Sequence, residues 1–188
     1  LTNSRKKRYM LNTGNTVLII VDVQSKLAHL MPKKSMLFDN LQRLIKGMQI
    51  LGMPIIWVEH CPEGLGPTIP ELANLLSDIK PVSKHSFSCC GSDEFMRKIK
   101  KLNRQQVLIA GIETHICIYQ TVSDLLDLQY EIQVVADAVS SRTVENFKIG
   151  LEKIKDLGAA LTSTETALFE LLKEATGERF RQILKIVK

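Results

Sequence analysis

The sequence predicts a three-layer α/β sandwich, in which helices cover both faces of a mainly parallel, doubly wound sheet. Short apolar runs rich in β-branched residues alternate with amphipathic helical patterns along the chain. The 188 residues, 45% of them hydrophobic, suffice for one domain with one sizeable core. We find no internal repeat, low-complexity tract or linker. We therefore expect a single domain over residues 1–188, with a basic, loosely ordered tail at 1–12.

Five apolar runs have the length and composition of strands that are buried on both faces of a parallel sheet. They lie at 17–21, 54–58, 107–110, 132–136 and, with a weaker pattern, 159–161. Val82 is a candidate for a further strand, although Pro81 before it argues against an interior place in the sheet.

Helical patterns separate these strands. They occupy 37–51, 95–102, 144–157 and 167–172. Ser35 and Thr143 are candidate caps for the first and third of these helices. Thr162 and Glu165 form a capping box ahead of the last one.

The composition excludes several classes of protein. No apolar stretch is long enough to span a membrane. Four cysteines at this length, with no C-x-x-C pair, predict reduced thiols and not a disulfide framework or a structural zinc site. The cytoplasm is the expected location, and the basic opening SRKKRYML leaves an organelle-targeting remnant open.

The net charge of +5 raises the question of an anionic partner. The basic residues are scattered over the N-terminus, 97–104 and the C-terminal region, without interleaved aromatics or a nucleic-acid reader motif. We therefore expect a small-molecule substrate and no binding of nucleic acid or membrane.

Polar residues follow several of the predicted strands, at the sheet edge where open α/β folds bind ligands. Asp22 follows the first strand, Glu59 and His60 follow the second, and Cys117 lies beyond the strand at 107–110. Cys117 falls in the expected first turn of a helix, where free N–H groups stabilise a thiolate. A half-buried structural cysteine is the alternative interpretation.

Asp22 interrupts an apolar strand end, so that its burial requires hydrogen bonds or a cation, whereas a solvent-facing cap is the alternative. Lys84 is unremarkable alone. If it meets Asp22 and Cys117, its charge favours a thiolate.

Four segments taken together resemble the isochorismatase-like cysteine hydrolase family, in the subgroup of isochorismatase domain-containing proteins. They are LIIVDVQ, VSKHSF, AGIETHICI and VVADAVSSR, which lie between about residues 17 and 172 in the order and approximate spacing of that family.

The resemblance implies an Asp–Lys–Cys triad, with Cys117 as nucleophile, Asp22 as proton acceptor and donor, and Lys84 as electrostatic partner. It also implies a cis peptide between Ile112 and Glu113, and an oxyanion site formed by the backbone N–H groups of Glu113 and Cys117.

Other polar and aromatic residues near these motifs have open roles. Gln24 either orients Asp22, which we favour, or satisfies a turn. Phe87 and Trp57 form either an apolar wall for the substrate or ordinary core packing. The side chains of Glu113 and His115 either line a pocket or lie at the surface.

The implied reaction is acyl transfer, in which Cys117 attacks the carbonyl of a small amide or related acyl compound and forms a thioester. Relatives that hydrolyse nicotinamide carry an Asp-x-His metal element after the second strand, which is missing here. We therefore expect no metal and no cofactor, and interpret His60 as a hydrogen-bonding residue. The resemblance also implies a homo-oligomer. A catalytically silent interaction protein is the alternative function.

Overall fold

The computed structural model describes residues 10–188, which form a six-stranded parallel sheet with helices on both faces. The strands are β1 (Thr16–Val21), β2 (Ile55–His60), β3 (Val82–Lys84), β4 (Gln106–Ile112), β5 (Glu131–Ser140) and β6 (Ala160–Thr162). The helices are α1 (Ser25–His29), α2 (Lys34–Ile50), α3 (Pro62–Leu65), α4 (Pro70–Ala73), α5 (Asp93–Leu102), α6 (Tyr119–Asp127), α7 (Val144–Asp156), α8 (Thr164–Leu172) and α9 (Gly177–Val187). The predicted three-layer α/β fold is confirmed.

The strand order is β3-β2-β1-β4-β5-β6. The chain fills one half of the sheet outward from β1, then crosses back to β4 beside β1 and fills the other half. The strand order thus reverses between β1 and β4, and doubly wound folds bind ligands at the carboxyl ends of the strands beside such a reversal. The residues that follow these two strands are Asp22 and the segment leading to Cys117.

Two apolar layers hold the sheet, because successive residues of a strand point to opposite faces. Leu18 and Ile20 of β1 belong to the layer that packs against α2, α8 and α9. Val17, Ile19 and Val21 belong to the layer that packs against α5, α6 and α7. All five side chains are fully buried, which explains the continuous apolar run in the sequence.

Two strands differ in detail from the sequence expectation. β3 does form after Pro81, and it pairs only with β2 at the edge of the sheet, where a preceding proline costs no ladder hydrogen bond. β5 is longer than the predicted 132–136 because its pairing with β4 shifts register between Ile109 and Gly111 and then continues to Ser140.

Two predicted helix caps were wrong. Ser35 lies inside α2, which starts after Lys33 in a left-handed conformation (φ 52°). Thr162 belongs to β6, and Ser163 caps α8 instead by accepting a hydrogen bond from the backbone N–H of Thr166. The Thr143 cap of α7 is confirmed, since its hydroxyl accepts from the N–H of Asn146.

The two ends of the described chain pack against the domain. Residues 1–9 of the expected basic tail lie outside the described part. Leu11 is buried and its N–H donates to Glu170 Oε1 at 2.7 Å, so residues 10–12 are anchored. The basic C-terminal segment forms α9, which the sequence analysis did not predict and which buries Ile183 near α2.

Candidate active site

A buried ion pair lies at the carboxyl ends of the strands β1 and β3. Lys84, the last residue of β3, donates from Nζ to Asp22 Oδ2 at 2.7 Å. Both residues are almost fully buried, with 2% and 1% of their surfaces exposed. Lys84 Nζ also donates to the backbone oxygen of Ser86 at 3.1 Å. A charge pair removed from water in this way is stable only when such partners are present.

Asp22 is held in an unusual backbone conformation at the end of β1. Its φ angle is 53°, in the left-handed region that residues other than glycine seldom adopt. Its N–H continues the sheet by donating to Val58 O, and its carbonyl accepts from the N–H of Gln24 at 2.8 Å. The sharp turn thus fixes the carboxylate at the edge of the sheet.

Cys117 lies in a helical turn that directly follows β4. Residues Thr114–Ile118 form a π-type turn ahead of α6, in which the N–H of Ile118 donates to Glu113 O at 3.2 Å. The turn places Cys117 at the predicted position, in the first turn of the helical segment. The side chain is nearly buried, with 8% of the residue exposed.

The electrostatic setting of Cys117 differs from the sequence expectation of a stabilised thiolate. Burial raises the pKa of the Cys117 thiol above its usual value, and the Asp22 carboxyl raises it further, by its charge and by contact with the thiol. Lys84 opposes this shift without cancelling it. Lys84 is already paired with Asp22, whose negative charge also acts on the sulfur. The raised pKa favours the protonated thiol.

Asp22 has the features of a proton acceptor. Among the side chains of residues 10–188, its Oδ1 is a buried oxygen without a hydrogen bond of good geometry, while Oδ2 binds Lys84. Burial raises the pKa of Asp22 above its usual value, and the neighbouring Lys84 and Cys117 oppose that shift. A buried carboxylate with one free oxygen beside a thiol can take up the proton of that thiol.

The turn that carries Cys117 is supported from two sides by glycines. Gly111 in β4 has φ 122°, a conformation that side chains rarely permit, and it packs directly against the backbone of Val21. A Cβ atom on Gly150 of α7 would lie 2.8 Å from the backbone nitrogen of His115. Both glycines allow backbone segments to approach more closely than any side chain would permit.

Further contacts join this turn to the end of β5. The hydroxyl of Thr114 donates to Ser140 O at 3.0 Å, and His115 Nδ1 lies 3.0 Å from Ser141 Oγ. The peptide between Ile112 and Glu113 is cis, as the resemblance implied. The Glu113 side chain is buried, and its Oε1 accepts from both N–H and Nε of Arg142.

The side chain of Gln24 binds the backbones of His60 and Gly66 and not the carboxylate of Asp22. Its Nε2 donates to the backbone oxygens of His60 and Gly66, and its Oε1 accepts from the N–H of His60 at 2.7 Å. Within residues 10–188, the hydrogen bond between Gln24 and Asp22 is that from the N–H of Gln24 to the backbone oxygen of Asp22. The favoured interpretation of Gln24 as the residue that orients the Asp22 carboxylate is therefore wrong.

His60 and Phe87 lie over the ion pair. His60 Nδ1 is 3.4 Å from Lys84 Nζ, and its ring stacks against that of Phe87 with centroids 5.7 Å apart. Burial and the Lys84 charge lower the pKa of His60, which favours the neutral ring. Phe87 keeps 53% of its surface exposed, so it is not part of the core. Trp57 is a core residue, and its Nε1 donates to Thr68 Oγ1.

The other cysteines are free, as expected. Cys89 is fully buried, and burial together with the Asp22 charge raises its pKa to about 12. Burial raises the pKa of Cys90 to about 11. The sequence analysis gave no role to Ser140 at the end of β5, Arg142 after it or Gly150 of α7, because their contacts with this turn arise only through the fold. Within residues 10–188, no helix is both long and apolar enough to traverse a bilayer.

Residues 16–166 match the family model of the isochorismatase domain. Isochorismatase domain-containing protein 2 from Danio rerio is 35% identical over 178 residues, which cover 94% of this chain and 89% of that protein. The structure of the MAR1 ribonuclease from Caenorhabditis elegans superposes with a TM-score of 0.89 at 32% identity, covering 95% of this chain and 92% of that one.

A more distant structure has the same fold. The YcaC gene product from Escherichia coli, described as an octameric hydrolase of unknown specificity, superposes with a TM-score of 0.90 at 19% identity. The match covers 96% of this chain and 90% of that one.

Proposed function

The chain belongs to the isochorismatase domain family, and from this premise we propose that it is a cysteine-dependent hydrolase of a small amide or related acyl compound. One observation carries the proposal: the buried Asp22–Lys84 pair leaves Asp22 Oδ1 without a hydrogen-bond partner among residues 10–188, beside the Cys117 thiol. A buried polar atom without a partner costs stability, and such atoms are retained where the reaction uses them.

The first step is the attack of Cys117 on the carbonyl carbon. Because the thiol is protonated at rest, its proton passes to Asp22 Oδ1 as the sulfur–carbon bond forms. The carbonyl oxygen becomes an oxyanion, which the backbone N–H groups of Glu113 and Cys117 stabilise. Lys84 remains positively charged and holds the Asp22 carboxylate in place through Oδ2.

The second step releases the amine. The carbon–nitrogen bond breaks, Asp22 gives its proton to the leaving nitrogen, and the acyl group remains on Cys117 as a thioester. Asp22, again a carboxylate, then takes a proton from a water molecule that attacks the thioester. The carboxylic acid leaves, and the proton returns to the sulfur.

The remaining site residues bind and position the substrate. Hydrogen bonds from the side chain of Gln24 to the backbone of His60 fix His60 at the end of β2. The stacked rings of His60 and Phe87 form an aromatic surface beside the ion pair. This surface favours a substrate with a flat or apolar group next to its amide. Glu113 and Arg142 close the opposite side of the nucleophile turn.

The test is turnover of a panel of small primary amides, measured as ammonia release by the wild type and by Cys117→Ala. We expect the variant to lose at least about 10³-fold in kcat, since removal of a nucleophile leaves only binding and oxyanion stabilisation. Intact mass spectrometry of wild type mixed rapidly with substrate should detect one acyl adduct per chain. Cys90→Ala, which changes a partly buried cysteine outside the triad, is the matched control and should retain turnover.

Two other outcomes correspond to other functions. If no amide is turned over and no adduct forms, the catalytically silent interaction protein gains support. RNA cleavage is the second candidate, favoured by the name of the C. elegans relative. Attack by a ribose 2′-hydroxyl requires Asp22 as base and does not require Cys117. RNA cleavage that survives Cys117→Ala would therefore contradict the thioester mechanism.

We also propose that the protein forms a homo-oligomer, since the structurally similar YcaC gene product from E. coli is described as octameric. Exposed apolar side chains on α2 and α7 support an interface there, namely Met36, Val144 and Ile149. Light scattering at micromolar concentration would detect the assembly. A mass equal to one chain would contradict it.

A further inference from the structure

Three side chains with metal-binding atoms, those of Cys61, Glu63 and His85, meet beside His60 and Lys84. Cys61 Sγ lies 3.4 Å from His85 Nδ1, and the same Nδ1 lies 3.5 Å from Glu63 Oε1. All three ligand atoms lie within 4.8 Å of one another. The proposed hydrolase mechanism uses none of them.

The backbone holds the three residues in place although their side chains reach solvent. His60 of β2 pairs in register with Lys84 of β3, so the residues that follow these strands, Cys61 and His85, emerge side by side. The N–H of Cys61 donates to Lys84 O at 2.9 Å, which closes this pair.

Cys61 also begins α3, on which Glu63 lies. Its φ angle is 39°, and its carbonyl accepts from the N–H groups of Gly64 and Leu65. This tight turn brings the Glu63 carboxylate back toward the His85 ring. Sheet register and turn geometry thus preorganise the three ligands without a long disordered loop between them.

Hydrogen bonding alone accounts poorly for this arrangement. One ring nitrogen, Nδ1 of His85, faces both the sulfur and the carboxylate oxygen. A neutral imidazole nitrogen either accepts a proton from the thiol or donates one to the carboxylate, and it cannot do both at once. A cation bound by the sulfur, the ring nitrogen and the carboxylate oxygen would give all three atoms a common partner.

The distances fit a tetrahedral metal ion. Zinc binds sulfur at about 2.3 Å and nitrogen or oxygen at about 2.0–2.2 Å, so neighbouring ligands of a tetrahedral ion lie about 3.3–3.6 Å apart. The two measured separations fall within this interval. Thiolate, imidazole and carboxylate together suit zinc and similar transition metals and disfavour calcium and magnesium.

We propose that Cys61, Glu63 and His85 bind a divalent transition-metal ion of the zinc type, with a water molecule in the fourth position. The sequence analysis expected no metal and interpreted His60 as a hydrogen-bonding residue, because Cys61 and His85 are far apart in the chain. Metal binding displaces the Cys61 thiol proton to solvent, so the affinity should rise with pH. The bound ion would join the α3 turn to the end of β3, beside His60 and Lys84.

The test is a titration of metal-free protein without an affinity tag, using Co²⁺ as a spectroscopic probe and Zn²⁺ as competitor. We expect one Co²⁺ per chain, a thiolate-to-cobalt charge-transfer band in the near ultraviolet, and loss of that band when Zn²⁺ is added. Cys61→Ser should abolish the band and weaken Zn²⁺ binding more than about tenfold. Glu63→Gln and His85→Ala should weaken binding without removing the sulfur band.

Two matched cysteine variants locate the metal. Cys90→Ser should bind like the wild type, since Cys90 is a free, partly buried cysteine outside the cluster. Retention of the band in Cys61→Ser, its loss in Cys117→Ser, or no binding of either metal at micromolar concentration would overturn the proposal. Amide turnover by Cys61→Ser is measured in parallel, so failure of the metal site and failure of the hydrolase are separate results.

Discussion

The two ends of the parallel sheet both contain buried polar groups. These groups are fully hydrogen-bonded at the amino end and incompletely hydrogen-bonded at the carboxyl end. At the amino end, Gln106 of β4 is 2% exposed, and each of its polar atoms has partners. Its Oε1 accepts from Thr16 Oγ1 and from the N–H of Asn12, each at 3.0 Å. Its Nε2 donates to Met10 O and Glu131 Oε2, each at 3.1 Å.

At the carboxyl end, the polar groups are incompletely paired and the backbone is unusual. Asp22 Oδ1 has no hydrogen-bond partner in the described chain, and the Cys117 thiol beside it has a raised pKa. Positive φ angles occur at Asp22, Cys61 and Gly111 of this end, and also before the strands at the amino end, at Gly52, Asn103, Gln129 and Gly158. The amino end joins strands and the incoming chain, whereas the carboxyl end keeps incompletely paired polar groups in position at a cost in stability. Substitutions at the two ends should therefore affect different properties.

The largest effect is expected from Asp22→Asn, which removes the proton acceptor and preserves the side-chain volume. We expect kcat/KM for an amide substrate to fall by about 10²- to 10⁴-fold, as for other losses of a general acid–base group. Steady-state kinetics would measure this, with circular dichroism as the folding check. Asp78→Asn changes an exposed aspartate and is the control. Activity of Asp22→Asn within tenfold of wild type would contradict the proposed role of the carboxylate.

Gln106→Ala should produce the converse result at the amino end. It leaves buried groups of Thr16 and Asn12 without their acceptor, which should lower the free energy of unfolding by about 2–3 kcal/mol. Urea unfolding would measure the loss, while kcat of the folded fraction should stay within about twofold of wild type, since the network does not touch the triad. Gln120→Ala, at an exposed position of α6, should cost less than about 0.5 kcal/mol. If Gln106→Ala kept its stability and lost catalytic activity, the amino end of the sheet would not have the purely structural role proposed for it.

Gly150→Ala tests whether the turn Thr114–Ile118, which carries Cys117, needs the close packing of α7 against its backbone. The new methyl group would press on the backbone of His115, and we expect a loss of about 1–3 kcal/mol in stability together with a lower kcat. Gly47→Ala is the matched helical control, since its methyl group would press on the Leu168 side chain far from the triad. It should lose stability and keep kcat. Equal effects of both variants on kcat would contradict the prediction that packing against the turn Thr114–Ile118 controls catalysis.

The smallest expected effect concerns alkylation of Cys117 by iodoacetamide. Because burial and Asp22 raise the thiol pKa, labelling should require a higher pH than for a free cysteine. Asp22→Asn removes one cause of the shift, which lowers the pKa and should speed labelling at mildly alkaline pH even though hydrolysis is lost. Peptide mass mapping resolves Cys117 from Cys90. Slower labelling of Cys117 in the variant would contradict the inference that Asp22 raises the pKa of the Cys117 thiol.

Much of the site position could be predicted from the sequence. The apolar runs before Asp22 and near Cys117 predicted strands, and the parallel sheet predicted that their polar ends meet at one edge. The proposal that Asp22, Lys84 and Cys117 form a triad came from the family resemblance of four separate motifs and not from periodicity.

Other features required coordinates, because they depend on segments that are distant in the chain. Gln24 was expected to orient Asp22, but the turn at Asp22 aims the Gln24 side chain at His60 and Gly66. The cluster of Cys61, Glu63 and His85 was not predicted, since its residues meet only through the pairing of β2 with β3.

The sequence by itself determined the layers, the strands and the edge of the sheet that carries the polar residues, because hydrophobic periodicity is a local property of the chain. Only the tertiary structure decided the direction in which the pKa of Cys117 shifts. That pKa depends on burial, on the charge of Asp22 after β1 and on the charge of Lys84 at the end of β3. Electrostatic energies depend on distances in space and on exclusion of water, and neither quantity can be read from the order of residues.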